Sequence, residues 1–256
     1  MVANSIDLHY TPPLMKIIHR SEFRDKAGFV SFGRAVRATV QRGGQWERER
    51  KGEDRVSAAL SQLLDDKYVL IRNLVLPGEK YDLDMILVGP AGVWEFEILH
   101  FTALVNTENG WMCWDFNQNG VRPIPREIGE RAQAKAASLA NFLAQQGLTV
   151  EVNQAVILST VGAPRDFSIG AMQLIFVEEL KGFIQTALEL LRPAAPVPVD
   201  QVVNLLGGIQ GKEAPPEIPD LVFGMTVTQF FILLALAVGV VCILSGFVGV
   251  YLINSY

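Results

Sequence analysis

Residues 81–101 read YDLDMILVGPAGVWEFEILHF, two apolar runs on either side of Gly89-Pro90-Ala91-Gly92. Pro at the second turn position and Gly at the fourth suit a type I turn, so the stretch predicts a β-hairpin. Asp84 opens the first run. In the second, Trp94, Phe96 and Ile98 alternate with Glu95, Glu97 and Leu99, which predicts one core face and one acidic face. On the residues alone, the acidic face reads as a solvated strand surface. The Tyr81–Phe101 hairpin is the centre around which the rest of the chain is arranged.

Working outward, Gly44–Leu64 runs from a charged entry, QWERERKGEDR, into Val56, Ala59, Leu60, Leu63 and Leu64. These last residues share one helical face, with Glu53 one turn before them. Tyr68–Leu76 is a strand by its Val, Leu and Ile content, closed by Pro77-Gly78. After the hairpin, Leu104-Val105 and Trp111–Phe116 form a strand pair through Glu108-Asn109-Gly110, with Trp111 and Trp114 covering core. Ile128–Gln146 is a helix with Ala132, Ala136, Leu139 and Leu143 on one stripe, ended by Gly147. Val150–Leu158 and Met172–Val177 are strands, and Glu178–Leu191 is a helix.

Gly52-Glu53 on a helix, Asp84 followed by MILVGPAGV and then Glu97 on a strand resemble, in that order, the NERD or nuclease-related domain of the PD-(D/E)XK superfamily. The resemblance spans Trp46–Leu191. It implies an α/β fold with a mixed central sheet flanked by helices, a restriction-endonuclease-like core. It also implies catalytic roles for Glu53, Asp84 and Glu97, with Asp84 and Glu97 as ligands of Mg2+. A hard cation on oxygen donors suits phosphodiester hydrolysis.

The chain departs from the family at the lysine that follows the strand acid by two residues. Glu-x-Lys reads Glu97-Ile98-Leu99 here, and Leu99 can neither orient a water nor offset charge on phosphate. Some superfamily members carry this lysine on a nearby helix, which makes Lys135 and Arg131 candidates. The family's Asn-Pro-x-x-Gln setting is also incomplete, with Pro125 present and Ile128 where Gln would stand. His100 points away from Glu97 by strand alternation. Two readings follow: a degenerate centre serving as a binding or scaffold module, or a metal-dependent endonuclease acting on DNA or RNA. In a further reading the domain binds protein and no nucleic acid.

The termini add a membrane. From Val227 to Ile253 no residue is charged, and roughly 20 apolar residues span a bilayer as a helix. We therefore expect a transmembrane helix at 226–253, inserted as a tail anchor with Tyr251 at the interface. Lys212 lies upstream and no Lys or Arg follows, which places the N-terminal domain on the cytoplasmic side. Ala235/Gly239 and Ser245/Gly249 have the spacing of helix–helix contacts, so a homodimer through this helix is an open expectation.

The expected order is 1–45, an N-terminal arm and basic amphipathic helix; 46–192, the nuclease-related domain; 193–225, a Pro-rich linker with a short helix at 199–206; and 226–253, the span. Leu14–Phe23 is expected to be a short helix. Phe29, Phe32, Val36 and Val40 recur at helical spacing with Arg34 and Arg37 between them. That helix either packs on the domain or lies on an anionic membrane face.

Charge is skewed along the chain, with 11 basic and 7 acidic residues in 1–55 and 11 basic and 20 acidic beyond. The acidic body disfavours a broad phosphate-binding surface, although the basic N-terminal part can supply a local one. Two distant cysteines give no disulfide framework, and with three histidines they give no zinc spacing. No Gly-x-Ser-x-Gly elbow occurs, and Gly207–Lys212 lacks the spacing of a phosphate loop.

Overall fold

The computed structural model describes residues 14–42, 45–108, 110–115, 120–125, 127–169, 172–190, 196–209, 221–222, 225–226, 232–233 and 235–240. Its core is a six-stranded sheet of order β1-β2-β3-β4-β8-β9, made of β1 Lys16–His19, β2 Val69–Val75, β3 Asp82–Gly89, β4 Gly92–Leu99, β8 Val152–Leu158 and β9 Leu174–Phe176. β2, β3 and β4 form an antiparallel meander, and β1, β8 and β9 add in parallel at its sides. The sheet is thus mixed and flanked by helices.

The hairpin closes on Gly89 paired with Gly92, whose φ of 122° needs a residue without a side chain. Alternation then sends Trp94 and Phe96 to one face with Met85 and Leu87. There they pack under α2 Gln45–Leu63 and α4 Leu180–Leu190, through Val56, Leu60, Leu180 and Ile184. Ile86, Val88 and Val93 face the other way, under Leu139 and Leu143 of α3 Ile128–Gln145. Helix α3 ends as expected: Gly147 takes φ 80° and the Leu148 N–H donates to the Leu143 carbonyl at 2.9 Å.

Several expectations are corrected. Residues 16–19 form a strand and not a helix, because Ile17 and Ile18 pair with Leu70 and Ile71 and that pairing overrides local preference. The side sheet has three strands, β5 Val105–Thr107, β6 Gly110–Asp115 and the unexpected β7 Gly120–Pro123. Trp111 does cover core, its ring edge-on to Phe167 at 5.1 Å.

The acidic face of β4 is not solvated. Glu95 is 0 % and Glu97 2 % exposed, since α3 lies over both. Helix α5, Val199–Gly208, rests on β2 and β3 with Val202 and Leu206 fully buried. The packed body therefore runs to Gly208, past the Pro193 boundary read from the sequence. Beyond it, β10 Leu221–Val222 pairs with β11 Met225–Thr226.

Most of the expected 226–253 span lies outside the described residues, of which 232–233 and 235–240 are helical. Among the described residues no helix is long and apolar enough to cross a membrane.

Candidate functional site

Met85 and Phe96 are the last paired residues at the open end of the hairpin. One step further, Asp84 and Glu97 come side by side on the α3 face. The Ile98 N–H ties them together, donating to Asp84 Oδ2 at 2.8 Å.

Above them, α3 carries Arg131, Lys135, Leu139 and Leu143 at intervals of four, all toward the sheet. The two leucines bury in the core, and the two cations reach the acids. Lys135 Nζ bonds Asp84 Oδ1 at 3.2 Å and bonds Glu97 Oε2. Arg131 donates Nη2 at 2.8 Å and Nε at 3.2 Å to Glu97 Oε1. All four carboxylate oxygens are thus engaged. The sequence had Lys135 one turn before Leu139 on the apolar stripe, which was the signal that it points inward.

Leu99, in the place of the family's lysine, packs in a separate apolar cluster with Ile128, Ala132 and Leu158. His100 turns away from the acids as expected, its Nδ1 3.0 Å from Ser159 Oγ.

Glu53 lies on α2 and lines the same cavity, of about 230 Å3, together with Asp84, Glu97, Arg131 and Lys135. Its carboxylate is held by the β2 residues Arg72, at 3.1 Å, and Asn73, at 3.0 Å. Arg72 is 3 % exposed and also bonds Asp54 Oδ1 at 2.9 Å, and Arg24 meets the same oxygen at 2.6 Å. Sequence reading missed this network, although a polar Arg-Asn pair inside the apolar run VLIRNLV marks it. Asn73 has φ 55°. That conformation, which Asn tolerates better than most residues, swings its amide toward Glu53.

Burial dominates the electrostatics. It pushes Asp84 well above the usual carboxylate range, helped by Glu97 and opposed by Lys135. Burial also raises Glu53, against Arg72 and Asn73. For Lys135 burial works against the charge, but Asp84 and Glu97 more than offset it and hold the ammonium above its ordinary value. Glu95, two residues before Glu97 on the same face, is pushed up to about 9 by burial and then by the Asp84 and Glu97 charges. Both its oxygens lack a hydrogen-bond partner among the described residues. It is therefore a neutral acid at pH 7.

Two adjacent carboxylates opening on a cavity are donors of the kind a hard divalent cation takes. A cation there competes with Lys135 and Arg131 for the same oxygens. Among the described residues no group of three or more His, Cys, Asp or Glu is placed to hold a metal ion.

No curated protein and no solved structure matches the chain significantly. Residues 48–159, which supply Glu53, Asp84, Glu97, Arg131 and Lys135, match the family model of the NERD, or nuclease-related, domain.

Proposed function

We propose that this chain is a membrane-tethered, metal-dependent nuclease that hydrolyses phosphodiester bonds of DNA or RNA, with Lys135 doing the work of the lysine that Leu99 displaces. The observation that carries the reading is the Lys135 ammonium on both Asp84 and Glu97. Lys135 lines the cavity together with both acids, whereas Leu99 lies in the separate apolar cluster.

Asp84 and Glu97 would hold Mg2+, which when bound supplies positive charge to the phosphate and acidifies a water. Lys135 would orient an attacking water and offset charge on the phosphate. Arg131, half exposed at the rim, turns its remaining N–H groups to an incoming phosphate. Glu53, fixed by Arg72 and Asn73, contributes negative charge from the far wall.

The tether rests on the charge-free run 227–253. Its described helical residues support that reading, because Ile232, Leu233, Leu236, Val238 and Val240 are each more than half exposed. A helix apolar on every side belongs in an apolar surrounding. Lys212 upstream with no Lys or Arg downstream favours a cytoplasmic catalytic domain, and the small residues of the run allow a homodimer.

The test is cleavage of single- and double-stranded DNA and RNA by the full chain with Mg2+ or Mn2+, beside Asp84→Ala and Glu97→Ala. Cleavage that both variants abolish is expected. Cleavage that survives both assigns the chemistry elsewhere. Carbonate extraction tests the tether, and release of the full chain from membranes would overturn it.

A second reading, a silenced centre retained as a binding or scaffold module for nucleic acid or protein, is favoured by Leu99 and by the full engagement of the acids. It predicts well-folded wild-type protein that cleaves nothing and gains activity on Leu99→Lys.

A further inference from the structure

The cavity that Asp84, Glu97 and Lys135 line has a neighbour. A second pocket, of about 180 Å3, lies between the start of β3 and α3, with the buried Leu76 and Leu83 on its strand side and Ala134 on its helix side. Tyr81, Arg131 and Lys135 line both spaces, whereas Asp84 and Glu97 line the first and not the second. Apart from the shared cations, the polar groups of the second pocket are Glu79 and Ser138, whose hydroxyl donates to Glu79 Oε1. A charged space and an apolar one thus share a wall. A nucleotide has the same division, an anionic phosphate joined to a base with apolar faces and a polar edge.

Two aromatic rings border the candidate site, and they are not equivalent. Trp46 is 6 % exposed and committed to the fold: it packs with Ala38 of α1, Phe32–Arg42, Phe23 meets it edge to face at 5.7 Å, and the Arg50 guanidinium lies over its ring at 5.6 Å. Tyr81 is 61 % exposed and stands at the wall that the two spaces share.

We infer that the pocket of Leu76, Tyr81, Leu83 and Ala134 takes an unpaired nucleobase of the strand whose phosphate meets Arg131 and Lys135, so that the substrate is single-stranded or flipped-out nucleic acid. The inference rests on the nuclease reading above. A base inside a duplex is stacked on its neighbours and paired at its edge, and it enters such a pocket only after leaving the helix. The occupant is argued from charge and continuity, since the cations that suit a phosphate form one wall of the apolar pocket. A purely apolar ligand gains nothing from Arg131, and free phosphate gains nothing from Leu76 and Leu83.

The experiment measures binding of dye-labelled oligonucleotides to the full chain by anisotropy, in EDTA and again with Ca2+, at an ionic strength that weakens non-specific attraction to phosphate. The probes are a single-stranded thymidine oligomer, the same oligomer built from abasic residues, and the thymidine oligomer paired with deoxyadenosine. A homopolymer makes the result independent of register. The single strand is expected to bind roughly tenfold tighter than the other two, the scale of stacking one base on an aromatic side chain. Tyr81→Ala should weaken its binding roughly tenfold, to the level of the abasic oligomer, and Tyr81→Phe should keep it near wild type. Ala134→Leu, which fills the pocket from an exposed position on α3, should act as Tyr81→Ala does. All three variants should melt near wild type, since both positions are exposed.

Equal affinity for the thymidine and abasic oligomers, or binding of neither, in protein whose Mg2+-dependent cleavage Asp84→Ala abolishes, overturns the base pocket and leaves the nuclease reading standing. A Tyr81-dependent preference for the thymidine oligomer in protein that cleaves nothing overturns the nuclease reading and keeps the pocket. A duplex bound as tightly as the single strand, or a preference that Tyr81→Ala and Ala134→Leu both leave intact, overturns the inference.

Discussion

Glu95 is the residue whose environment most contradicts its chemistry. A carboxyl with no exposure and no hydrogen-bond partner among the described residues keeps its proton in the folded state, whereas the unfolded chain releases it near pH 4.3. Between that value and the folded value of about 9 the native state holds one proton more than the unfolded state. Stability therefore falls as pH rises through this window, by at most about 1.4 kcal/mol per pH unit for a single group. Glu95→Gln removes the proton and keeps the shape. It should raise stability at pH 8 by on the order of a few kcal/mol and flatten the pH dependence between pH 5 and 9. Denaturant melts across that range decide it, and an unchanged slope would show that Glu95 is ionised in the fold. Nothing in the residue pattern warned of this burial. Alternation placed Glu95 and Glu97 on one face, but only α3 crossing that face takes it out of water.

The strand β2 is interrupted where it passes the site. Asn73 faces the level of Asp84 with φ 55° and gives its amide to Glu53. Asn73→Gly keeps the backbone conformation and loses one hydrogen bond to a carboxylate, a cost of about 1.5–3 kcal/mol. Asn73→Ala adds the strain of a left-handed residue with a side chain, about 1 kcal/mol more. Thermal melts of the two variants separate these contributions, and equal losses would show that the conformation relaxes.

Elements of this kind mark the limit of sequence reading. The hairpin, α2, α3 and β8 were legible because each has a clean period and turn or cap chemistry at its ends. β1 was not, because four residues carry no period and their pairing with β2 is a long-range contact. Asp84, Glu97 and Glu53 were legible as a set only through the order of family motifs. Arg72 and Asn73 stand out as a polar pair in an apolar run, but their partner Glu53 became visible only when α2 was laid over β2, since nothing in a run of seven residues tells which side a polar pair will be needed on.

At the scale of the molecule, a single sheet divides two tasks. The end where β3 opens and β4 closes gathers Asp84 and Glu97 with two cations from α3, and the remainder of both faces is apolar and anchors the helices that hold this cluster. Lys135 comes from the helix that crosses from β4 to β8, so the connection that builds the parallel half of the sheet also carries the lysine proposed to stand in for the one that Leu99 displaces. That reassignment is the central claim. It is tested most directly by nucleic-acid cleavage with Mg2+ by the full chain, Lys135→Ala and the double variant Lys135→Ala/Leu99→Lys, each confirmed folded by its melting curve. A catalytic Lys135 predicts a loss of at least about 100-fold in the single variant, with partial recovery in the double, where the lysine returns to the strand. Wild-type rates in Lys135→Ala, or an inert wild type that Leu99→Lys alone activates, would contradict it.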